Sequence, residues 1–204
     1  MKRYEHKDSK WKFSFVEYAP QNAEGKLPLI IQLHGAGERG DDLSKMDVNG
    51  FSHIMDKEFK CRIVMPQCPE ETFWAARVES LVEFIGQLKG FFNVDEDRVY
   101  LTGLSMGGFG TWYTAMARPD LFAAIAPVCG GGMPWNAGVL TMPVWAFHGV
   151  DDPTVSVNHS DEMVEQMKVH GGNVKYTRLE GVGHNAWDYA YNEELIEWFL
   201  SHTR

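Results

Sequence analysis

Short apolar runs that end at or beside glycine recur along the chain and alternate with segments of helical periodicity. The most distinct run, LPLIIQLHG at residues 27–35, is apolar until its last few residues. Such a run is typical of a strand buried on both faces of a parallel sheet. Similar runs occupy residues 61–67, 98–103, 122–130 and 142–149, and residues 173–181 alternate between apolar and polar side chains.

The segments between these runs have the periodicity of amphipathic helices. The pattern predicts helices at residues 75–89, 106–117 and 156–170, and a last helix capped by Asn192. Residues 4–6 and 12–18 alternate like a hairpin before the first run. Strands alternating with helices indicate an α/β fold, here a mostly parallel sheet of about eight strands with helices on both faces. With 204 residues and 44% hydrophobic content, we expect residues 1–204 to form a single domain.

A serine flanked by glycines lies where one predicted strand meets the following helix. The stretch is Gly103-Leu104-Ser105-Met106-Gly107, which fits G-x-S-x-G. A nucleophile elbow requires this context, because the sharp turn strains the serine backbone and only small neighbours fit around it. The alternative is a glycine-rich turn without chemistry. We predict that Ser105 is the nucleophile.

A serine hydroxyl needs a base and an orienting acid to become an effective nucleophile. His184 lies in a glycine-rich loop after the last predicted strand, whereas His159, His170 and His202 fall on helical or terminal segments. We therefore predict His184 as the base. The loop after residues 142–149 offers two acids, and the turn defined by Pro153 favours Asp152 over Asp151.

An oxyanion formed at the ester carbonyl needs two backbone donors. The N–H of Met106 follows the nucleophile, and the N–H of Ala36 lies in the loop after the first apolar run. His34 and His148 each precede a glycine at a strand end, and both are interpreted as residues that brace loops. For the neighbouring Glu38 and Arg39, two interpretations stay open, namely an ion pair that holds the loop or polar groups that face the substrate.

The loops at the strand ends also suggest the shape of the substrate site. The connection at residues 130–143 is too short for a helical lid domain, so we expect an open site without a lid. Trp74, Trp135 and Trp187 lie near strand ends and are predicted as an aromatic rim that binds substrate. Packing in the core is the alternative for each of them.

Charge and composition exclude several other functions. The formal net charge is −9, which disfavours nucleic acid or an anionic membrane as a partner. No apolar run reaches the length of a membrane span. The three cysteines, Cys61, Cys68 and Cys129, fit neither a disulfide framework nor a zinc spacing, and we expect no metal and no cofactor. The polar N-terminus predicts a cytoplasmic location, or a secretory one if a leader has been removed.

Four stretches together resemble small serine esterases of the α/β-hydrolase fold. They are LHGAGERGDD at residues 33–42, GLSMGG at 103–108, FHGVDDPTV at 147–155 and GVGHNAW at 181–187. The closest type is the phospholipase/carboxylesterase and dienelactone-hydrolase-like group, including its predicted-peptidase branch, with feruloyl and acetylxylan esterases nearby. The resemblance covers residues 27–200. One departure is Ser156, where relatives often have proline, and it leaves the predicted catalytic residues intact.

The resemblance implies a catalytic triad of Ser105, Asp152 and His184, with Ala36 and Met106 as the oxyanion donors. It implies hydrolysis of a short-chain, aryl or carbohydrate-linked ester. The oligomeric state stays open, with a homodimer as one alternative. A peptidase or a thioesterase with the same triad is the alternative within enzymes, because the fold does not separate these reactions. A catalytically silent binding module is the alternative outside them.

Overall fold

The computed structural model describes residues 1–22 and 24–204, and its centre is an eight-stranded sheet. The strand order is β1-β2-β4-β3-β5-β6-β7-β8. The pairs β1–β2 and β2–β4 are antiparallel, and all other neighbours are parallel. This confirms the predicted mostly parallel sheet and the N-terminal hairpin. The strands are β1 Lys2–His6, β2 Phe15–Ala19, β3 Leu27–Leu33, β4 Arg62–Pro66, β5 Val94–Leu104, β6 Ala124–Val128, β7 Val144–Gly149 and β8 Val174–Leu179.

The main helices lie close to the predicted positions. They are α1 Val78–Phe91, α2 Met106–Ala117, α3 Asn158–Val169, α4 Trp187–Ala190 and α5 Glu193–Leu200. Asn192 caps α5 as predicted, since its side chain accepts a hydrogen bond from the Leu195 N–H. Helix α1 begins three residues later than predicted, because Trp74–Ala76 form a separate 3-10 turn. The short helix α4 was not predicted.

Apolar side chains cover both faces of the sheet and form two cores. Along β3, Leu29 and Ile31 belong to one core and Ile30 to the other, as expected from the alternation of side chains along a strand. Helices α1, α2 and α3 complete the first core, and α4 and α5 help to complete the second. The continuous apolar runs of the sequence therefore mark strands buried on both faces.

The connection from β6 to β7 is short, as the sequence predicted. It contains one 3-10 helix, Pro134–Val139, and no α-helix. Among the described residues, no helix combines the length and the apolar character needed to cross a bilayer. All three cysteines are buried and free.

Candidate active site

Six neighbouring parallel strands, β4-β3-β5-β6-β7-β8, end at one edge of the sheet. The segments that follow four of them hold the predicted catalytic residues and the predicted donor Ala36. The loop after β3 holds Ala36, β5 ends next to Ser105, and the loops after β7 and β8 hold Asp152 and His184. The carboxyl ends of parallel strands are where open α/β sheets bind their ligands. A cavity of about 300 Å³ opens there, and Ser105 and His184 line it.

Ser105 occupies a strained backbone conformation between β5 and α2. Its φ of 54° and ψ of −115° are unfavourable for a residue with a side chain and cost on the order of 1–3 kcal/mol. The neighbouring glycines are required by close packing of the backbone. A Cβ at Gly103 would lie 2.3 Å from the Gly107 carbonyl oxygen, and a Cβ at Gly107 would lie 2.1 Å from the Leu33 carbonyl oxygen. The G-x-S-x-G pattern therefore lets α2 begin directly against β3 and β5.

A chain of hydrogen bonds joins Ser105, His184 and Asp152. His184 Nδ1 lies 2.6 Å from Asp152 Oδ2, and His184 Nε2 lies 2.8 Å from Ser105 Oγ. An ionised carboxylate only accepts hydrogen bonds, so the Nδ1 hydrogen is donated to Asp152. His184 Nε2 is then free to accept the hydroxyl hydrogen of Ser105. The three residues have the geometry of a nucleophile, a base and an orienting acid.

Asp152 is held by the backbone as well as by His184. Its Oδ1 accepts hydrogen bonds from the N–H groups of Thr154 at 2.8 Å and Val155 at 2.9 Å. Burial by itself would raise the pKa of Asp152, but the hydrogen bond from His184 and the two backbone N–H groups outweigh it and lower that pKa. Asp152 therefore stays ionised beside the imidazole. The alternative acid, Asp151, is exposed.

His148 lies directly beneath the acid loop, as expected for a bracing residue. The imidazole is fully buried; its Nε2 lies 2.9 Å from the Val155 carbonyl oxygen and 3.4 Å from Asp152 Oδ2. Its Nδ1 lies 2.7 Å from Ser160 Oγ. Burial lowers the pKa of His148, which favours a neutral ring. The neutral ring bridges the start of α3 to the loop that carries Asp152.

One cluster of three possible metal ligands occurs among the described residues, and it consists of Cys129, His148 and Asp152. Asp152 already accepts hydrogen bonds from His184 and two backbone N–H groups. Burial raises the pKa of the Cys129 thiol to about 12, whereas a metal binds the thiolate. The cluster is therefore better described as part of the packing under Asp152 than as a metal site.

Each of the two predicted oxyanion donors is the first residue of a helix. Ala36 begins the 3-10 helix Ala36–Glu38, and Met106 begins α2. The N–H of the first residue of a helix has no acceptor inside that helix. Both N–H groups are therefore available to an external acceptor, and Ala36 lines the cavity beside Ser105.

The loop after β3 is braced through backbone groups. His34 Nε2 accepts a hydrogen bond from the Cys68 N–H at 2.9 Å, and Nδ1 lies 2.6 Å from the Gly35 carbonyl oxygen. Arg39 donates to the carbonyl oxygens of Ala36, Glu70 and Thr72. Arg39 braces the loop and forms no ion pair with Glu38, so the ion-pair interpretation is wrong. The alternative interpretation holds for Glu38, which lines the cavity, but not for Arg39.

The three predicted rim tryptophans lie in different environments. Trp187 lines the cavity and packs edge-on against His184, with ring centroids 5.2 Å apart. Trp135 is 79% exposed on the connection from β6 to β7 and is not part of the cavity wall. The prediction is wrong for Trp74, whose side chain is fully buried and donates a hydrogen bond to the His34 carbonyl oxygen. Trp74 packs in the core because the chain folds back there into a 3-10 turn against α2.

The sequence interpretation missed two polar residues of the cavity wall. Thr154 follows Asp152 by two residues, and Asn49 belongs to the segment between β3 and β4. Thr154 was within reach of the sequence, because it lies in the same turn as the predicted acid. Asn49 lies in no motif, and only the folding of residues 43–54 into two 3-10 turns brings it to the cavity.

Known proteins resemble this chain along much of its length. The model of the family described as Phospholipase/Carboxylesterase matches residues 74–193. The bifunctional acetylxylan esterase/xylanase XynS20E of Neocallimastix patriciarum is 30% identical over 152 residues, which cover 68% of this chain and 21% of that protein. Poly(3-hydroxyalkanoate) depolymerase C of Paucimonas lemoignei is 27% identical over 130 residues, which cover 56% of this chain and 30% of that protein. The chain thus spans less than a third of these curated relatives.

Solved structures give the same assignment of the fold. A thermostable esterase superposes with a TM-score of 0.83 at 32% identity, over 99% of this chain and 63% of that one. The acetyl xylan esterase from Aspergillus awamori superposes with a TM-score of 0.77 at 14% identity, over 98% of this chain and 99% of that one; at this identity the likeness concerns the fold alone.

The sheet and the site at its carboxyl edge define an α/β-hydrolase fold. Within that fold, the chain belongs to the Phospholipase/Carboxylesterase family.

Proposed function

We propose that the protein is a serine hydrolase of carboxylic esters that uses Ser105, His184 and Asp152 and forms an acyl-enzyme. The observation that carries this proposal is the continuous hydrogen-bond chain from Ser105 Oγ through His184 to Asp152 at the wall of an open cavity. Membership of the Phospholipase/Carboxylesterase family supports it, as do two relatives whose names include an acetylxylan esterase and a depolymerase of a polyester.

The geometry suggests how each residue acts. Ser105 Oγ attacks the ester carbonyl carbon while His184 Nε2 accepts the hydroxyl proton. Asp152 keeps the imidazole oriented and stabilises the imidazolium that forms. The N–H groups of Ala36 and Met106 donate to the oxyanion of the tetrahedral intermediate, and one such donor contributes about 3 kcal/mol to transition-state stabilisation.

The second half of the reaction reuses the same groups. His184 gives its proton to the oxygen of the leaving alcohol, which departs and leaves Ser105 acylated. His184 then removes a proton from water, and the water oxygen attacks the acyl carbon. Collapse of the second tetrahedral intermediate releases the carboxylic acid and returns the proton from His184 to Ser105. No residue outside the triad and the two donors is needed for these steps.

The site fits a short or flat substrate. The cavity of about 300 Å³ lies at the small end of ligand sites, and Trp187 gives it one aromatic wall. The connection between β6 and β7 holds only a short 3-10 helix, and none of its residues lines the cavity. A long acyl chain would therefore extend into water. We propose short-chain, aryl or carbohydrate-linked esters as substrates.

A series of p-nitrophenyl esters of increasing acyl length tests this function. Each methylene contributes up to about 0.8 kcal/mol only if it is buried. We therefore expect kcat/KM to peak at short acyl chains, about C2 to C6 by the same burial argument. Ser105→Ala should abolish turnover while the protein remains folded. A steady rise in kcat/KM to the longest chains would contradict the open site, and no turnover of any ester by the wild type would contradict the function itself.

A further inference from the structure

A carboxylate lines the same cavity as the nucleophile and takes no part in the proposed reaction. Glu38 belongs to the loop after β3, is 8% exposed and lines the cavity together with Ser105 and His184. A buried charged group is costly unless hydrogen-bond donors surround it. The hydrogen bonds of Glu38 therefore show whether the folded chain satisfies this side chain by itself.

Only one of the two carboxylate oxygens of Glu38 has a partner. Oε1 accepts a hydrogen bond from Asn49 Nδ2 at 2.6 Å. In the described part of the chain, no group donates to Oε2, whose nearest ring nitrogen is His34 Nδ1 at 3.9 Å. That nitrogen lies only 2.6 Å from the Gly35 carbonyl oxygen, to which it donates. Glu38 Oε2 is thus an acceptor that the fold leaves unused, and the atom is not sealed into the core.

The unused oxygen lies close to the reacting serine. A Cβ built on Gly35 would lie 3.2 Å from Glu38 Oε2 and 3.7 Å from Ser105 Cβ. Glu38 Oε2 and Ser105 therefore approach the same side of Gly35, the residue before the proposed oxyanion donor Ala36. These two distances place Glu38 Oε2 no more than 6.9 Å from Ser105 Cβ.

Support of the loop accounts for only part of these contacts. The Asn49 hydrogen bond uses Oε1, and the bond from Gln67 Nε2 at 2.8 Å uses the backbone carbonyl oxygen of Glu38. Both would form equally well with glutamine at position 38. The negative charge and the second oxygen have no task in holding the loop.

We propose that Glu38 Oε2 accepts a hydrogen bond from a hydroxyl group of the substrate next to the scissile ester. An ionised carboxylate only accepts hydrogen bonds, and its bonds to hydroxyl groups are short and strong. The site therefore selects esters that carry such a hydroxyl, whether on a polyol alcohol or on a hydroxyacyl group. This inference rests on the proposed ester hydrolysis and names the substrate feature that the same site recognises.

The test compares matched esters with and without the hydroxyl. For the alcohol part, the pair is glycerol 1-acetate and propyl acetate; for the acyl part, it is ethyl 3-hydroxybutanoate and ethyl butanoate. Each pair gives a ratio of kcat/KM values, in which any change of intrinsic reactivity caused by the charge near the oxyanion largely cancels. The pair with the higher ratio in the wild type identifies which side of the ester carries the hydroxyl.

The informative variant is Glu38→Gln. The glutamine Oε1 can keep the hydrogen bond from Asn49. The amide Nε2, which only donates, then takes the place of Glu38 Oε2 at the cavity. We expect the preferred ratio to fall several-fold, because a neutral amide donor replaces the carboxylate, and a charge-assisted hydrogen bond is roughly twice as strong as a neutral one. Glu71→Gln removes the same charge at an exposed position outside the cavity wall and should leave both ratios unchanged.

Two results would overturn the inference. One is a wild-type enzyme that hydrolyses all four esters with both ratios within about twofold of unity; this result decides the matter even if the Glu38→Gln variant does not fold. The other is a folded Glu38→Gln variant that keeps the wild-type ratios. If the wild type hydrolyses none of the four esters, that result contradicts the proposed ester hydrolysis itself, and the inference, which depends on it, is overturned as well.

Discussion

Two His-Gly pairs at the carboxyl edge of the sheet have the same residue types but position different groups of the site. His34-Gly35 follows β3, and His148-Gly149 ends β7. Both imidazoles are buried, and burial lowers the pKa of each, that of His34 to about 4. The contacts of His34 are made to the backbone of its own loop and of Cys68, whereas His148 lies 3.4 Å from the carboxylate of Asp152.

In both pairs a neutral, buried imidazole joins two segments of the chain. The groups that each imidazole contacts determine which part of the site it positions. His34 fixes the backbone before Ala36, whose N–H is a proposed oxyanion donor. His148 fixes the turn in which Asp152 accepts its backbone hydrogen bonds. The loop after β3 thus contributes a backbone N–H to the reaction, and the loop after β7 contributes the Asp152 carboxylate. Substitutions in the two loops should therefore lower activity to different extents.

The largest effect is expected in the acid loop, from Asp152→Asn. An amide in place of the carboxylate no longer stabilises the imidazolium and favours the wrong tautomer of His184, which lowers kcat by about 10³- to 10⁴-fold. The matched control is Asp151→Asn, since Asp151 is exposed and the carboxylate hydrogen-bonded to His184 is that of Asp152. Steady-state kinetics on p-nitrophenyl acetate measures both. A larger loss in the Asp151 variant would move the acid to that position.

A smaller effect is expected in the oxyanion loop, from Gly35→Ala. The new Cβ would lie 2.9 Å from Leu104 Cδ1 and 3.2 Å from Glu38 Oε2. Either these two side chains, which line the cavity, must move, or the loop must shift together with the Ala36 N–H. Complete loss of an oxyanion donor costs about 10²- to 10³-fold, and a displaced donor should cost roughly 10- to 100-fold in kcat.

Gly37→Ala is the control for that substitution. A Cβ at Gly37 would meet no heavy atom within 4 Å, although the residue lines the same cavity. Its kcat should stay within about twofold of the wild type, because nothing has to move. Equal losses in the two alanine variants would show that the position of the loop is not set by the packing around Gly35.

The sequence was sufficient to predict the features that depend on local pattern. Buried parallel strands need continuous apolar runs, so the strands and the edge at which they meet could be located. The close backbone contacts of Gly103 and Gly107 require glycine, and that requirement is visible in the sequence around Ser105. Asp152 was preferred to Asp151 through Pro153, and the structure brings Asp152 to His184.

Features that depend on packing between distant segments were not predictable in the same way. Trp74 resembled a rim residue because it follows a strand, but α2 covers it: a Cβ at Gly110 would lie 2.5 Å from Trp74 Cβ. The strand β5 begins at Val94 despite the charged residues 95–98, because Val94 pairs with Leu27 across an irregular register. The Glu38–Asn49 hydrogen bond joins two segments, and no sequence motif indicates that they meet.

The smallest effect concerns stability and tests the neutral state of His34 in the oxyanion loop. The pKa of His34 is about 4 in the folded protein, below its ordinary value of 6.5, so the unfolded chain binds a proton at a higher pH than the folded one. The stabilisation from neutral His34 is therefore complete above pH 6.5 and is lost as the pH falls from 6.5 toward 4. Because of this linkage, His34 should lower the free energy of unfolding by about 1 kcal/mol when the pH falls from 7.5 to 5.5.

Urea unfolding of the wild type and of His34→Gln at both pH values measures this contribution. The variant should be less stable at pH 7.5, since the bond to the Cys68 N–H changes, but it should lose less stability on going to pH 5.5. A variant that loses as much stability as the wild type over this range would show that His34 does not set the pH dependence.

The central claim is that His184 and Asp152 activate Ser105, and the rate of reaction with a fluorophosphonate tests it most directly. The reagent phosphonylates a serine whose hydroxyl a neighbouring base has activated: Oγ attacks the phosphorus and fluoride leaves. The account predicts one label per chain, found on Ser105 by peptide mass spectrometry, and a labelling rate at least about 10³-fold lower in a folded His184→Ala variant. A label on another serine, no label at all, or an unchanged rate in the His184→Ala variant would contradict it.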